Sequence, residues 1–242
     1  MPTTSVKPAQ YIPHLARYDS KSWGMAICTG DGQRFSLGDV EVPFTIQSFS
    51  KPLTYATGLA VNGCDYMNNY VGMEPSGRYF NELVIDYSNK PHNPMINSGA
   101  IMTSAIIKPE LSAADLFDYM FKVYNRLAGE EYLGFNNSVL LSERECADLN
   151  FALAYFIREN KCFPEKHKLH ESLVFYFQLC SLDITAESGA VMSATLANGG
   201  LNPLTGDPVL TVDAVRNTLT LMHSGGMYNY SDSFCFHVGA AS

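Results

Sequence analysis

Apolar and polar positions alternate loosely over Trp23–Thr29, a β-prone run that predicts a strand. Gly30-Asp31-Gly32 follows as a turn, and Arg34–Leu37 predicts the return strand of a hairpin. Val42–Ile46 predicts a short third strand. Beyond it the hydrophobic period lengthens to that of helices. Ser50-Lys51-Pro52 opens a helix to about Val61, with proline tolerated in the first turn. Pro91–Pro94 is a loop, and a small-residue helix begins near Ser98. Ser112 caps a helix to Leu127 that Gly129 ends. Ser142-Glu143-Arg144-Glu145 has the form of a capping box for a helix through Glu159. His170–Cys180, Thr185 to Asn198-Gly199-Gly200, and Thr211–His223 before Gly225-Gly226 predict three more helices. Ser233–Val238 predicts a strand. Strands at both ends and helices between them predict the α+β class. The end strands then form a sheet packed on a helical body, and the last strand, which would pair with Ser233–Val238, is missing.

The chain has 242 residues, 46% hydrophobic and 17% charged, which fits one globular domain over residues 1–242. Sixteen basic and twenty-four acidic residues give a net charge of −8, which argues against nucleic-acid or anionic-membrane partners. The most apolar helical stretch, Phe151–Ile157, ends at Arg158, far short of the roughly 20 residues that span a bilayer. Met1–Gln10 is polar with two prolines, unlike a signal peptide, and no Arg-rich transit peptide is visible. Cys28, Cys64, Cys146, Cys162, Cys180 and Cys235 are irregularly spaced without C-x-x-C, and predict reduced core thiols in an intracellular compartment.

Ser48-Phe49-Ser50-Lys51 is the sharpest chemical feature, a Ser-x-x-Lys at a strand-to-helix junction. Residues three apart on a helix share a face, so a hydroxyl and an amine there can meet. A serine needs a base to become a nucleophile, and a neutral lysine is such a base. The Ser48 backbone N–H is placed to bind an oxyanion. Asn97 stands at the entrance of an apolar helix, either as a cap or as a neutral donor to a ligand carboxylate. Glu143 and Asn150 are seven apart and share a helix face, where they suit an ammonium and a carboxylate or merely favour the helix dipole. Tyr176 belongs to the core by pattern, and Tyr228 follows Gly225-Gly226-Met227 in a loop where a phenol can relay a proton. His167 and His170 lack a carboxylate at metal spacing, so no metal is expected. No phosphate loop or G-x-G-x-x-G is present.

Together these strings resemble the serine-dependent glutaminase family, closest to the animal mitochondrial type. The resemblance is carried by Tyr11-Ile12-Pro13, Asp31-Gly32-Gln33-Arg34, Gln47-Ser48 with Lys51-Pro52, Glu74-Pro75-Ser76-Gly77, Lys90–Ala100, Ser142–Glu145, Cys162-Phe163-Pro164, Tyr176–Ser181 and Ser224–Tyr228. It implies a β-lactamase-like fold and hydrolysis of L-glutamine to L-glutamate and ammonia through an acyl-enzyme. By motif match it implies Ser48 as nucleophile, Lys51 as base, and Tyr228 and Tyr176 as the catalytic tyrosines. Asn97, Glu143, Asn150 and Tyr176 then grip the amino-acid end of glutamine, while Gln47 and Tyr11 line the pocket. It implies no metal or organic cofactor, phosphate as a possible activator, a homodimer or homotetramer, and mitochondrial residence, with a cytoplasmic location as the alternative. Asp232 replaces the family's usual glycine, Leu149 an arginine, and Met73 and Glu82 stand where lysines are common. The family pattern continues past Val238 into a Lys-Ser-Gly strand, whereas this chain reads Gly239-Ala240-Ala241-Ser242. That departure predicts a truncated domain and keeps two other readings open: a non-catalytic glutaminase-like subunit, and a β-lactamase relative sharing Ser-x-x-Lys.

Overall fold

A computed structural model describes residues 7–165 and 167–239. The Trp23–Leu37 pattern folds as the expected hairpin, β1 (Gly24–Cys28) antiparallel to β2 (Arg34–Gly38), with Met25 opposite Leu37 and Ile27 opposite Phe35. Its turn is tied by Thr29, whose hydroxyl bonds Asp31 and accepts the Gln33 N–H, and Gly32 supplies the left-handed residue (φ 85°). A two-residue strand β3 (Phe44–Thr45) leads through the 3-10 turn Gln47–Phe49 into α1 (Ser50–Asn62). Then come α2 (Cys64–Tyr70), α3 (Asn97–Ile106), α4 (Ala113–Leu127), β4 (Leu133–Phe135), α5 (Asn137–Glu145) and α6 (Asp148–Glu159). The chain ends with α7 (Leu169–Cys180), β5 (Leu182–Ile184), α8 (Ala186–Ala197), α9 (Val212–Gly225) and α10 (Ser231–Val238).

The hub is α1, buried without a break from Ser50 to Leu59. Tyr55 and Leu59 face one apolar cluster with Ile101, Leu153 and Phe177, and Leu53 and Ala56 face another with Tyr124, Leu179 and Met192. A helix apolar on both sides must sit between two packed layers. The hairpin lies on α8, where Ser36 Oγ donates to Glu187 Oε1 at 2.6 Å, and Arg34 pairs at 2.6 Å with Glu131 in the loop before β4. A second sheet, in the order β3-β5-β4, is antiparallel throughout. It holds the strand entering the 3-10 turn, because Ile46 N–H donates to Leu182 O at 2.8 Å.

The α+β class stands, and three expected elements are corrected. Ser233–Val238 is not a strand but lies in α10. Asp232 in its first turn, His237 in its last and left-handed Gly239 (φ 72°) after it are helix start and stop signals that the β-prone Phe-Cys-Phe composition masks. Among the described residues, therefore, the ends of the chain form no common sheet. Ser142 does not open a helix: it lies buried inside α5, whose cap is Asn136, its side chain accepting from Val139 N–H at 3.0 Å. The helix breaks at Cys146-Ala147, so Glu143 and Asn150 stand on consecutive helices and not on one face. The six cysteines are free, but only Cys162 and Cys180 are buried; Cys64 and Cys146 are exposed. Residues 1–6 and 240–242, on which the readings of the leader and of the chain's end rest in part, lie outside the described residues. No helix among the described residues is long and apolar enough to cross a membrane.

Candidate active site

Ser48 sits in the 3-10 turn immediately before α1, and the turn is held in an unusual backbone state. Gln47 has φ 48°, the left-handed region that a side chain with Cβ resists at a cost of about 1–3 kcal/mol. Its own side chain secures it: Gln47 Nε2 donates to Cys180 O at 3.1 Å, and Gln47 Oε1 accepts from Tyr11 Oη at 3.0 Å. Tyr228, at φ 52° in the 3-10 turn that follows α9, is another such residue at this site. Its ring stacks on Phe80 with centroids 4.5 Å apart, and the neighbouring Asn229 amide donates to Arg78 O at 2.9 Å.

Lys51, three residues after Ser48 and the second residue of α1, is 3% exposed. Its Nζ donates to Asn97 Oδ1 at 2.7 Å and to Tyr228 Oη at 3.2 Å, and it lies 4.8 Å from the centre of the Tyr228 ring. Asn97 Nδ2 in turn donates to Asn150 Oδ1 at 3.0 Å. The Ser48 hydroxyl has no hydrogen-bond partner among the described residues, leaving it available to a ligand.

A cavity of about 570 Å³ brings these segments together. Tyr11, Gln47, Ser48, Asn97, Glu143, Asn150, Tyr176 and Tyr228 line it, and Lys51 stands behind its wall. Thus the structure gathers every residue that the resemblance assigns to the site. It also adds Phe80, Asn81, Cys146, Ala147, Leu149, Cys180 and Ile12 as lining. Phe80 carried no signal of its own in the sequence. Cys146 and Ala147 line the cavity because the helix breaks there, which a continuous helical reading conceals.

Glu143 is 7% exposed, and its Oε2 is buried without a partner. Burial pushes its carboxyl up to about 8, against the opposing pulls of the Gln47 amide and the Lys51 charge. Burial also raises the Tyr176 phenol well above its ordinary value, with Cys180 and Glu143 adding to the effect. Burial raises Tyr11 in the same way. The phenols therefore stay neutral donors. The cavity presents one carboxyl lacking a cation, an amide with a free donor at Asn150, and an uncommitted serine hydroxyl backed by a buried lysine. That arrangement suits a small zwitterion bearing an acylating group. His167 and His170 are occupied elsewhere: His167 stacks on Phe163 at 4.0 Å, and His170 shares a hydrogen bond of 3.1 Å with Tyr155.

A sequence model of the glutaminase family matches residues 7–242. The chain is 50% identical over 236 residues to the mitochondrial liver isoform of glutaminase from Rattus norvegicus, covering 98% of this chain and 39% of that protein. It is 51% identical over 232 residues to putative glutaminase 2 of Caenorhabditis elegans, covering 96% of this chain and 38% of that protein. A solved structure of Mglu superposes with a TM-score of 0.89 at 34% identity, over 96% of this chain and 58% of the other. The probable glutaminase ybaS does so with a TM-score of 0.89 at 30% identity, over 97% of this chain and 75% of the other. The chain spans about two-fifths of the length of the rat and nematode relatives. Likeness along nearly its whole length, in both sequence and fold, places the chain in the glutaminase family.

Proposed function

We propose that this chain hydrolyses the side-chain amide of L-glutamine to L-glutamate and ammonia, through an acyl-enzyme on Ser48 with Lys51 as general base. The observation that carries this reading is Glu143: a buried carboxyl with a partnerless oxygen, in the same cavity as an unengaged Ser48. Such a group costs free energy until a cation meets it, and the α-ammonium of an amino acid is that cation. Asn150, with Asn97 behind it, offers amide N–H to the α-carboxylate, and Tyr176 contributes a neutral phenol. Held by the ammonium and the carboxylate of its amino-acid end, glutamine points its carboxamide toward Ser48.

The Ser48 oxygen attacks the carboxamide carbon as its proton passes to Lys51, directly or through Tyr228, whose hydroxyl lies 3.2 Å from Nζ. The Ser48 backbone N–H stabilises the tetrahedral oxyanion. Collapse breaks the C–N bond, the proton returns to nitrogen and ammonia leaves. Water then attacks the glutamyl ester, giving its proton to Lys51; the ester C–O bond breaks as that proton passes to the Ser48 oxygen, which restores serine and neutral lysine and releases glutamate. Water is the only co-reactant. The family resemblance supports phosphate as an activator and a homodimer or homotetramer, and the names of the mammalian relatives support mitochondrial residence. Sedimentation with and without phosphate reads the first two.

The test is coupled detection of ammonia and glutamate from L-glutamine, with Ser48→Ala as the variant. Removing the nucleophile should lower turnover by roughly 10⁴-fold or more. Acid-quenched wild type should carry one glutamyl group on the peptide containing Ser48. Undiminished turnover by the variant, or none by a folded wild type, overturns the proposal.

A further inference from the structure

Asn97 and Asn150 stand in series between the cavity and Lys51. Lys51 Nζ donates to Asn97 Oδ1 at 2.7 Å, and Asn97 Nδ2 donates to Asn150 Oδ1 at 3.0 Å. Lys51 is 3% and Asn97 9% exposed, so the first bond is shielded from water. Asn97 is anchored at its backbone as well, its N–H donating to Phe80 O at 2.8 Å. Asn150, half-buried on the cavity wall, keeps its Nδ2 without an acceptor among the described residues. The two amide dipoles therefore run head to tail from the free donor of Asn150 to the amine. A carboxylate seated on that donor polarises both amides and strengthens the hold of Asn97 Oδ1 on Nζ.

We infer that Asn150 is a positioning residue for Lys51, acting through Asn97, so that recognition of the substrate carboxylate enters the chemical step as well as binding. This rests on the hydrolysis reading above. A residue that served only as a carboxylate donor would need Nδ2 alone. Here the opposite end, Oδ1, fixes the amide that restrains the base. In its working form Lys51 has two N–H bonds and one lone pair. With the N–H groups on Asn97 and Tyr228, the lone pair takes the remaining direction, and loosening Asn97 frees the amine to turn away from Ser48.

The experiment separates the two roles with a reagent that has no carboxylate. Methanesulfonyl fluoride labels an activated serine: the Ser48 Oγ–S bond forms, the S–F bond breaks, fluoride leaves and Lys51 takes the hydroxyl proton. Its rate on intact protein, read by mass spectrometry, reports the serine–lysine pair without the amino-acid grip. Asn150→Ala is expected to slow sulfonylation at least about tenfold, and to lower kcat for glutamine by a similar factor, since small losses of orientation are costly in rate. Asn150→Asp keeps the acceptor for Asn97 and should restore sulfonylation to within about twofold of wild type, while its negative charge raises KM for glutamine. If Asn150→Ala is sulfonylated at the wild-type rate and only KM rises, Asn150 is a ligand contact and the inference fails. The same holds if Asn150→Asp is as slow as Asn150→Ala. A wild type that releases no ammonia overturns the hydrolysis reading, and this inference with it. One that does, beside unaltered sulfonylation in the variant, overturns this inference alone.

Discussion

If glutamine is the substrate, as proposed, its binding near pH 7 expels a proton from the protein, and that proton is Glu143's. In the empty cavity burial holds the carboxyl at about 8, against 4.5 for the group in an exposed chain. At pH 7 it is therefore about 90% protonated, and at pH 9 about 10%. An ammonium within contact distance favours the charged form, lowering such a carboxyl by about 1–3 units. Binding should thus release about 0.4–0.9 proton at pH 7, more as the ammonium lowers the carboxyl further, and below pH 8 affinity should fall up to tenfold per unit as pH drops. The same shift bears on stability. Between about pH 4.5 and 8 the folded, ligand-free protein holds a proton that the unfolded chain has lost, so this group's stabilising contribution is complete below 4.5 and disappears as pH rises through 8. The slope is about 1.4 kcal/mol per pH unit, with a ceiling of about 5 kcal/mol over the window. Isothermal titration calorimetry of Ser48→Ala with glutamine, in two buffers of different ionisation enthalpy, reads the proton count directly. Urea titrations of ligand-free wild type and Glu143→Gln across the same pH range read the slope, which the variant should lack. Zero proton release at pH 7, or parallel stability curves for the two proteins, would refute the reasoning.

Two further predictions concern the frame that holds the site. Gly99→Ala puts a Cβ into the backbone of Asn93 and Pro94, neighbours that cannot swing aside, so α3 must shift; a loss of at least about 1–3 kcal/mol in urea unfolding is expected, and an unchanged midpoint would disprove that close approach. Tyr124→Phe removes the hydroxyl that donates to Ser50 O at 2.9 Å and meets Thr54 Oγ1 at 2.8 Å in the buried first turn of α1, which should cost about 1–3 kcal/mol by the same assay.

Much of the helical body was legible because its signals are local. Ser112, Thr185 and Thr211 each sit one residue before a helix and accept the backbone N–H three residues on, as their positions in the sequence suggest. The strands β4 and β5 were not legible: each is three residues long, and what makes them strands is pairing with each other across 45 or more residues of chain. Asn136 escaped notice as a cap because two asparagines in a row offer no single boundary, and the false start at Ser142 followed from that. The C-terminal segment failed for the opposite reason, since Phe234, Cys235, Phe236 and Val238 favour strands by type while the terminal residues around them favour a helix.

For the site, residue identities were legible and states were not. The strings around Ser48, Asn97, Glu143, Asn150, Tyr176 and Tyr228 mark each residue, but no string reveals that Asn97 is turned toward Lys51, or that Gln47 and Tyr228 adopt left-handed backbone angles. Those facts come from segments distant in the chain meeting: Tyr11 and Cys180 on Gln47, Phe80 on Tyr228. The protonation of Glu143 is the clearest case. A glutamate in the last turns of a short helix would ordinarily be an ionised surface residue. Here the break after Glu145 lets Ala147, Leu149 and Asn150 turn back over the same cavity, and the aromatic residues and Cys180 of the surrounding segments exclude water from the carboxyl. Its readiness to take a cation is a property of that enclosure. Loosening the α5–α6 junction should therefore weaken glutamine binding even with every site residue retained, because a carboxyl returned to water no longer needs the ammonium.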